Sequence, residues 1–147
     1  MYKRILVPTD GSALSRKAIR SAIDLASSVG AEVLALNVVP RYPVSFFEGQ
    51  MPVSQQETAR VEKQWAEHGQ AVADEVGKAA EKAGVKAKAI TVRSNLVAEA
   101  ILGAARKNKC DLVVMASHGR KGLKRLLLGS ETQHVLTHGD VPVLVLR

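Results

Sequence analysis

A chain of 147 residues is long enough to bury one substantial core and too short for two ordinary domains. With 46% hydrophobic and 24% charged residues, its composition excludes a disordered or fibrous design. The formal charge of +7 fits nucleic acid, an anionic small ligand or a solvated basic surface. Only 3% of residues are aromatic, and no helix-turn-helix, zinc-finger or RNA-recognition signature is present, which argues against nucleic acid.

Five short runs rich in Val, Ile and Leu alternate with longer helical patterns, as expected of a parallel sheet covered on both faces. Met1-Tyr2-Lys3-Arg4 leads into the first expected strand, Arg4 to Pro8. Polar residues follow too soon for a signal peptide, and no apolar run reaches the roughly 18 residues of a membrane helix. The expectation is a cytoplasmic protein without a membrane segment. Leu14, Ala18, Ala22, Leu25 and Val29 form a helical stripe ending near Gly30, and the second strand is expected at Glu32 to Val39. From Pro40 to Gln56, Pro40, Pro43, Gly49 and Pro52 surround Tyr42, Phe46 and Phe47, the composition of a long connection.

Val61, Trp65, Val72, Val76, Ala79 and Ala83 predict a longer helix ending at Gly84, and Lys86 to Val92 a third strand. A third helix is expected through Val97, Ala100, Ile101, Ala104 and Ala105. The lone Cys110 cannot form an internal disulfide, and beside the apolar run Leu112-Val113-Val114-Met115 it reads as a packed thiol. The fourth strand is expected at Asp111 to Ala116. A fourth helix, Ser130 to His138, follows, whose Ser130-Glu131-Thr132-Gln133 start reads as a capping box. Val141 to Leu146 is the fifth strand, and Pro142 within it predicts an edge position.

These elements predict a single α/β domain over residues 1–147: a doubly wound five-stranded parallel sheet of order 3-2-1-4-5 with helices on both faces. Such a sheet binds ligands beyond the carboxyl ends of strands one and four, where its order reverses. One loop there is Pro8-Thr9-Asp10-Gly11-Ser12, in which Asp10 can accept hydrogen bonds from ribose hydroxyls or join a cation. The same Asp, Gly and Ser would equally serve a plain turn with a helix cap.

The other loop runs from Ala116-Ser117-His118-Gly119 to Gly129-Ser130. Its glycines permit close backbone approach, helix-start N–H groups lack partners, and Ser130 adds a hydroxyl, a combination that suits an anion. Arg120, Lys121, Lys124 and Arg125 either add positive potential or are simply solvated. Neither a Walker A motif nor a G-x-G-x-x-G fingerprint is present. No constellation demands an enzyme. His118, Glu131 and Asp10 are the groups able to orient a water, and none has a partner visible in sequence. His134 and His138, four apart, lack a third metal ligand and read as surface histidines.

Across essentially its whole length the chain resembles the universal stress protein family. The likeness lies in Ile5-Leu6-Val7-Pro8-Thr9-Asp10-Gly11-Ser12, Asn37-Val38-Val39, the stretch Asp111 to Arg120, Leu127-Leu128-Gly129-Ser130 and Val141-Pro142-Val143-Leu144-Val145. Nucleotide-binding members carry G-x2-G-x9-G-[ST]. Gly119, Gly129 and Ser130 match it, and Ala116 stands at the first glycine. The resemblance implies a regulatory switch in the stress response that binds ATP, accompanied by Mg²⁺. Gly119, Gly129, Ser130 and the N–H of Glu131 would hold the phosphates, Asp10 and Ala116 would meet the ribose, and Pro8, Thr9 and Val38 would frame the adenine. It also implies a homodimer paired through Val141 to Leu146. Two other functions are compatible: a slow Mg²⁺-dependent ATPase or nucleotidyl-transfer enzyme, and a dimeric partner-binding stress protein with a degenerate pocket.

Overall fold

A computed structural model of the chain describes residues 1–43, 54–118 and 128–147. The elements are β1 (Arg4–Pro8), α1 (Ala13–Val29), β2 (Glu32–Val39), α2 (Gln55–Lys82), β3 (Ala87–Arg93), α3 (Val97–Lys107), β4 (Leu112–Ala116), α4 (Ser130–His138) and β5 (Val143–Leu146). All strand pairs are parallel, and the order is β3-β2-β1-β4-β5, as the alternation predicts.

Alternate residues of each central strand serve opposite faces, so both parities are apolar. Ile5, Val7, Val33, Ala35, Leu112 and Val114 pack under α1 and α2. Leu6, Leu34, Leu36, Val113 and Met115 pack under α3 and α4. Two cores therefore sandwich the sheet.

Three strand boundaries differ from expectation. β3 is Ala87–Arg93, shifted one residue on from Lys86 to Val92. β4 starts at Leu112, because the Asp111 carboxylate turns back to accept the backbone N–H groups of Lys3 and Arg4 at 2.8 and 3.0 Å. Burial pushes the Asp111 carboxyl up, but these N–H groups outweigh it and hold the group below its ordinary range. β5 starts at Val143 rather than Val141; it is an edge strand, and Pro142, which has no N–H, precedes it. The connection after β2 also ends sooner than expected: Ser54 caps α2 by accepting from the Glu57 N–H, so Gln55 and Gln56 are helical. Phe46, Phe47, Gly49 and Pro52 lie outside the described residues.

The helices sit closer to the sheet than their large side chains suggested. α1 buries Ser15, Ala18, Ile19, Ala22, Ile23 and Ala26, while the expected Leu14, Leu25 and Val29 are only half-buried at its flanks. α2 buries Gly69, Ala73, Val76 and Ala80; Val61, Trp65 and Val72 are half-buried, and Ala79 and Ala83 are exposed. α3 buries Ala98 and Leu102 beside Ile101, Ala104 and Ala105, leaving Val97 and Ala100 half-buried. Small residues let a helix axis approach the strands, and the larger ones then splay to the sides. Gly69 marks the closest approach described on α2, where a Cβ would lie 2.5 Å from Asn37 Oδ1 and 2.7 Å from Val39 Cγ2. Gly30, the C-cap of α1, and Gly84, one residue past the Ala83 C-cap of α2, each take a positive φ that turns the chain off the helix.

No helix among the described residues is long and apolar enough to cross a membrane. Cys110 packs half-buried against the core under α3, and burial pushes its thiol up to about 11.

Gly69→Ala is expected to cost about 1–3 kcal/mol, because Asn37 and Val39 must move. Gly103→Ala, whose Cβ would meet nothing within 4 Å, is expected to gain about 0.5–1 kcal/mol from helix propensity. Opposite Tm shifts in thermal unfolding would check the pair. Cys110, protonated at neutral pH, is expected to react with iodoacetamide at pH 8 about 10–100-fold more slowly in the folded chain than in denaturant.

Candidate functional site

β1 and β4 are neighbours, so the loops leaving their carboxyl ends flank one crevice. In the β1–α1 loop, Thr9 is 6% exposed and held on every polar group. Its N–H donates to Leu36 O at 2.9 Å, and its carbonyl accepts from Asn37 Nδ2 at 2.9 Å. Its Oγ1 accepts from Ser15 Oγ at 2.8 Å and from the Gly11 N–H at 3.2 Å. The next residue, Asp10, is therefore presented by a backbone fixed from β2 and from α1.

Asp10 Oδ1 accepts the Ser12 N–H at 2.9 Å, Gly11 turns with φ +79°, and Ser12 Oγ caps α1 through the Ser15 N–H. The turn-and-cap arrangement is thus present in the structure. It sets the half-buried Asp10 carboxylate at the mouth of the crevice. Pro8 ends β1 opposite Leu36, and Val38 lies two residues further along β2, half-buried toward α3.

Across the crevice, Ala116 ends β4 beside Leu146. Among the described residues Lys109 is the only non-glycine with positive φ, so alanine at position 116 carries no backbone strain. The Thr132 hydroxyl, 2% exposed, donates to the carbonyls of Ala116 and Ser117 at 3.0 and 3.2 Å. The Gly129 N–H donates to Ser117 O at 2.7 Å. A Cβ on Gly129 would lie 3.1 Å from Ser117 O and 3.2 Å from His118 Cα, a tight fit that glycine relieves.

These bonds anchor the start of α4 against the end of β4. They also revise the expected capping box. Gly129 is the N-cap, and Ser130 is the first, exposed helical residue, with no side-chain cap bond. Pinning Gly129 to Ser117 moves the helix start one residue earlier than the Ser-x-x-Gln pattern implies. By helix geometry the N–H groups of Ser130, Glu131 and Thr132 have no intrahelical acceptor, and an anion at this end would meet them.

The structure thus gathers Pro8, Thr9, Asp10, Val38, Ala116, Gly129, Ser130 and Glu131 at the carboxyl end of the sheet. Gly119, Arg120, Lys121, Lys124 and Arg125 lie outside the described residues. His118 Nδ1 is 3.1 Å from Ser117 Oγ. His134 and His138 stack at 4.2 Å, and no group of three or more His, Cys, Asp or Glu among the described residues is placed to hold a metal. A concavity of about 480 Å³ beside Arg4, Glu32 and Lys109 opens at the opposite, amino end. It lies far from the topological switch point.

Sequence reasoning missed Ser15, Asn37, Ser117 and Thr132 as supports of this site. Asn37, a polar residue within an apolar strand run, carried a signal in the sequence, whereas Ser15, Ser117 and Thr132 stand where a helix or loop accepts polar residues and carried none.

The universal stress protein family model matches residues 1–147. Universal stress protein MJ0531 of Methanocaldococcus jannaschii is 38% identical over 147 residues, covering all of this chain and 83% of that protein. The solved structure of MJ0577, from the same organism, has 28% identity and a TM-score of 0.80, covering 99% of this chain and 96% of that one. At the level of fold, a universal stress protein solved with cAMP aligns with TM-score 0.67 and 23% identity over 99% and 97% of the two chains. One from Arabidopsis thaliana with AMP bound aligns at 0.65 and 16% over 98% and 90%.

Thr132→Val removes the one donor shared by two buried carbonyls and is expected to cost about 1–3 kcal/mol, whereas Thr132→Ser keeps the donor and costs less. Urea unfolding of the two variants would show the difference, and a larger loss for Thr132→Ser than for Thr132→Val would mean that the methyl, not the hydroxyl, anchors α4.

Proposed function

Because the chain belongs to the universal stress protein family, we propose that it is a nucleotide-binding regulatory protein whose ligand is ATP, acting as a switch in the stress response. The observation that carries this reading is the docking of the α4 N-terminus on the end of β4, facing a β1–α1 loop that presents Asp10. In the proposed pose the phosphates lie on Gly119, Gly129, Ser130 and the Glu131 N–H. The ribose lies against Asp10 and Ala116, and the adenine lies between Pro8, Thr9 and Val38. Ala116 has no positive φ, so the backbone at this position does not require the glycine that the motif carries. The adenine nucleotides bound by structural relatives support the ligand class.

Mg²⁺ would accompany the phosphates. Asp10 offers a carboxylate oxygen of the hard kind that this ion takes, and phosphate and water oxygens would supply most of its shell. The edge strand β5, with Leu144 exposed, supports pairing with a second copy into a homodimer. We place the protein in the cytoplasm.

Calorimetric titration of ATP with Mg²⁺, preceded by chromatography of the nucleotide released on denaturation, tests the reading. Co-purified adenine nucleotide or a micromolar-range affinity is expected. Asp10→Asn, which preserves an acceptor for the Ser12 N–H, is expected to weaken binding by about tenfold through the lost charged hydrogen bond. A protein that is empty and gives no heat with any adenine nucleotide would overturn the reading.

A further inference from the structure

The first turn of α3 is capped from outside its own sequence. Its N-cap position is Leu96, whose side chain cannot accept a hydrogen bond, and the nearby Ser94 Oγ is used in a local turn with the Leu96 N–H at 3.0 Å. The N–H of Ala98, second residue of α3, instead donates to Glu131 Oε2 at 2.9 Å, from 33 residues along the chain. Glu131 is itself the second residue of α4, and the two helices pack together on one face of the sheet. One carboxylate thus bridges two helix N-termini, the ends at which negative charge is favoured.

Within the nucleotide-binding reading, on which this inference rests, that position has a consequence. The backbone N–H of Glu131 is a proposed phosphate contact, and the carboxylate of the same residue is held within the same turn. Any anion bound at the α4 N-terminus therefore meets a fixed like charge, and the repulsion grows with the charge of the ligand. We propose that Glu131 is a specificity-determining residue that acts as a charge filter: it favours a nucleoside monophosphate or a metal-neutralised triphosphate over the free triphosphate. The Ala98 N–H holds the carboxylate in place. Because Glu131 is exposed, the effect is screened by salt.

Glu131→Gln tests this directly, since the amide oxygen can still accept from Ala98 while the charge is gone. Affinities for AMP, for ATP in EDTA and for ATP in excess Mg²⁺ would be measured calorimetrically at low salt, with Tm recorded for each protein. In Glu131→Gln, free ATP is expected to bind about three- to tenfold more tightly and AMP less than twofold, with Tm little changed and the gain shrinking as salt rises. Glu75→Gln, the same charge change on the exposed side of α2, is expected to leave the ratio of free ATP to AMP affinity unaltered. If wild type binds nucleotide but Glu131→Gln leaves that ratio unchanged, the charge filter is refuted and the binding reading stands. If Glu131→Gln is unstable, a salt series on the wild-type protein carries the test, and a ratio of free ATP to AMP affinity that does not rise as salt screens the carboxylate refutes the filter. If wild type binds none of the three ligands, the reading fails and the filter with it.

Discussion

A parallel strand that leaves its sheet carries backbone carbonyls and N–H groups beyond the ladder while still too buried for water, and every such group needs a partner. In this protein the partners are side chains and helix starts. Thr132 and the Gly129 N–H satisfy the last carbonyls of the β4 strand end. Leu36, Asn37, Ser15 and Gly11 satisfy Thr9 beyond β1. Because those partners belong to α1, α4 and β2, satisfying the strand ends also fixes where two helix N-termini point. Among the described residues, the walls of the crevice at the carboxyl end are therefore a product of hydrogen-bond completion.

Close packing reinforces this. Gly69 lets α2 lie against Asn37, the residue whose amide holds the Thr9 carbonyl, so a helix on one face helps fix a loop at the sheet's end. Gly129 does the corresponding work opposite, where a Cβ would press on Ser117 and His118. Glycine is used at both positions for the space it leaves rather than for an unusual backbone angle.

The five strands were legible because central parallel strands must be apolar on both faces, which produces unbroken runs such as Leu112 to Met115. The order of the sheet, and with it the location of the crevice, followed from handedness and the switch-point rule. Helix faces were legible only in part. Alanine fits a buried stripe and an exposed flank equally well, so Ala73 and Ala80 could not be told from Ala79 and Ala83 by pattern. The capping box at Ser130 failed for a different reason: a tertiary hydrogen bond to Ser117 decided where α4 begins, and local pattern does not contain it. The bridge from Glu131 to Ala98 is beyond sequence reading altogether, since it depends on two helix starts meeting in space.

The two ends of the sheet differ electrostatically, and the difference bears on which of them receives an anion. At the amino end the charges answer one another. Glu32 pairs with Lys86 and Arg4, which hold its carboxyl below the ordinary range, and Asp111 is occupied by the N–H groups of Lys3 and Arg4. At the carboxyl end, apart from the Glu62–Arg93 pair at the end of β3, the described contacts around the crevice are hydrogen bonds, and the start of α4 adds oriented peptide dipoles. Dipoles fixed by folding need no reorganisation when a charge arrives, whereas an ion pair must first be broken. An anion at the start of α4 therefore meets dipoles already in place, and the Asp10 and Glu131 carboxylates, each tied to a backbone N–H, are the like charges it must approach.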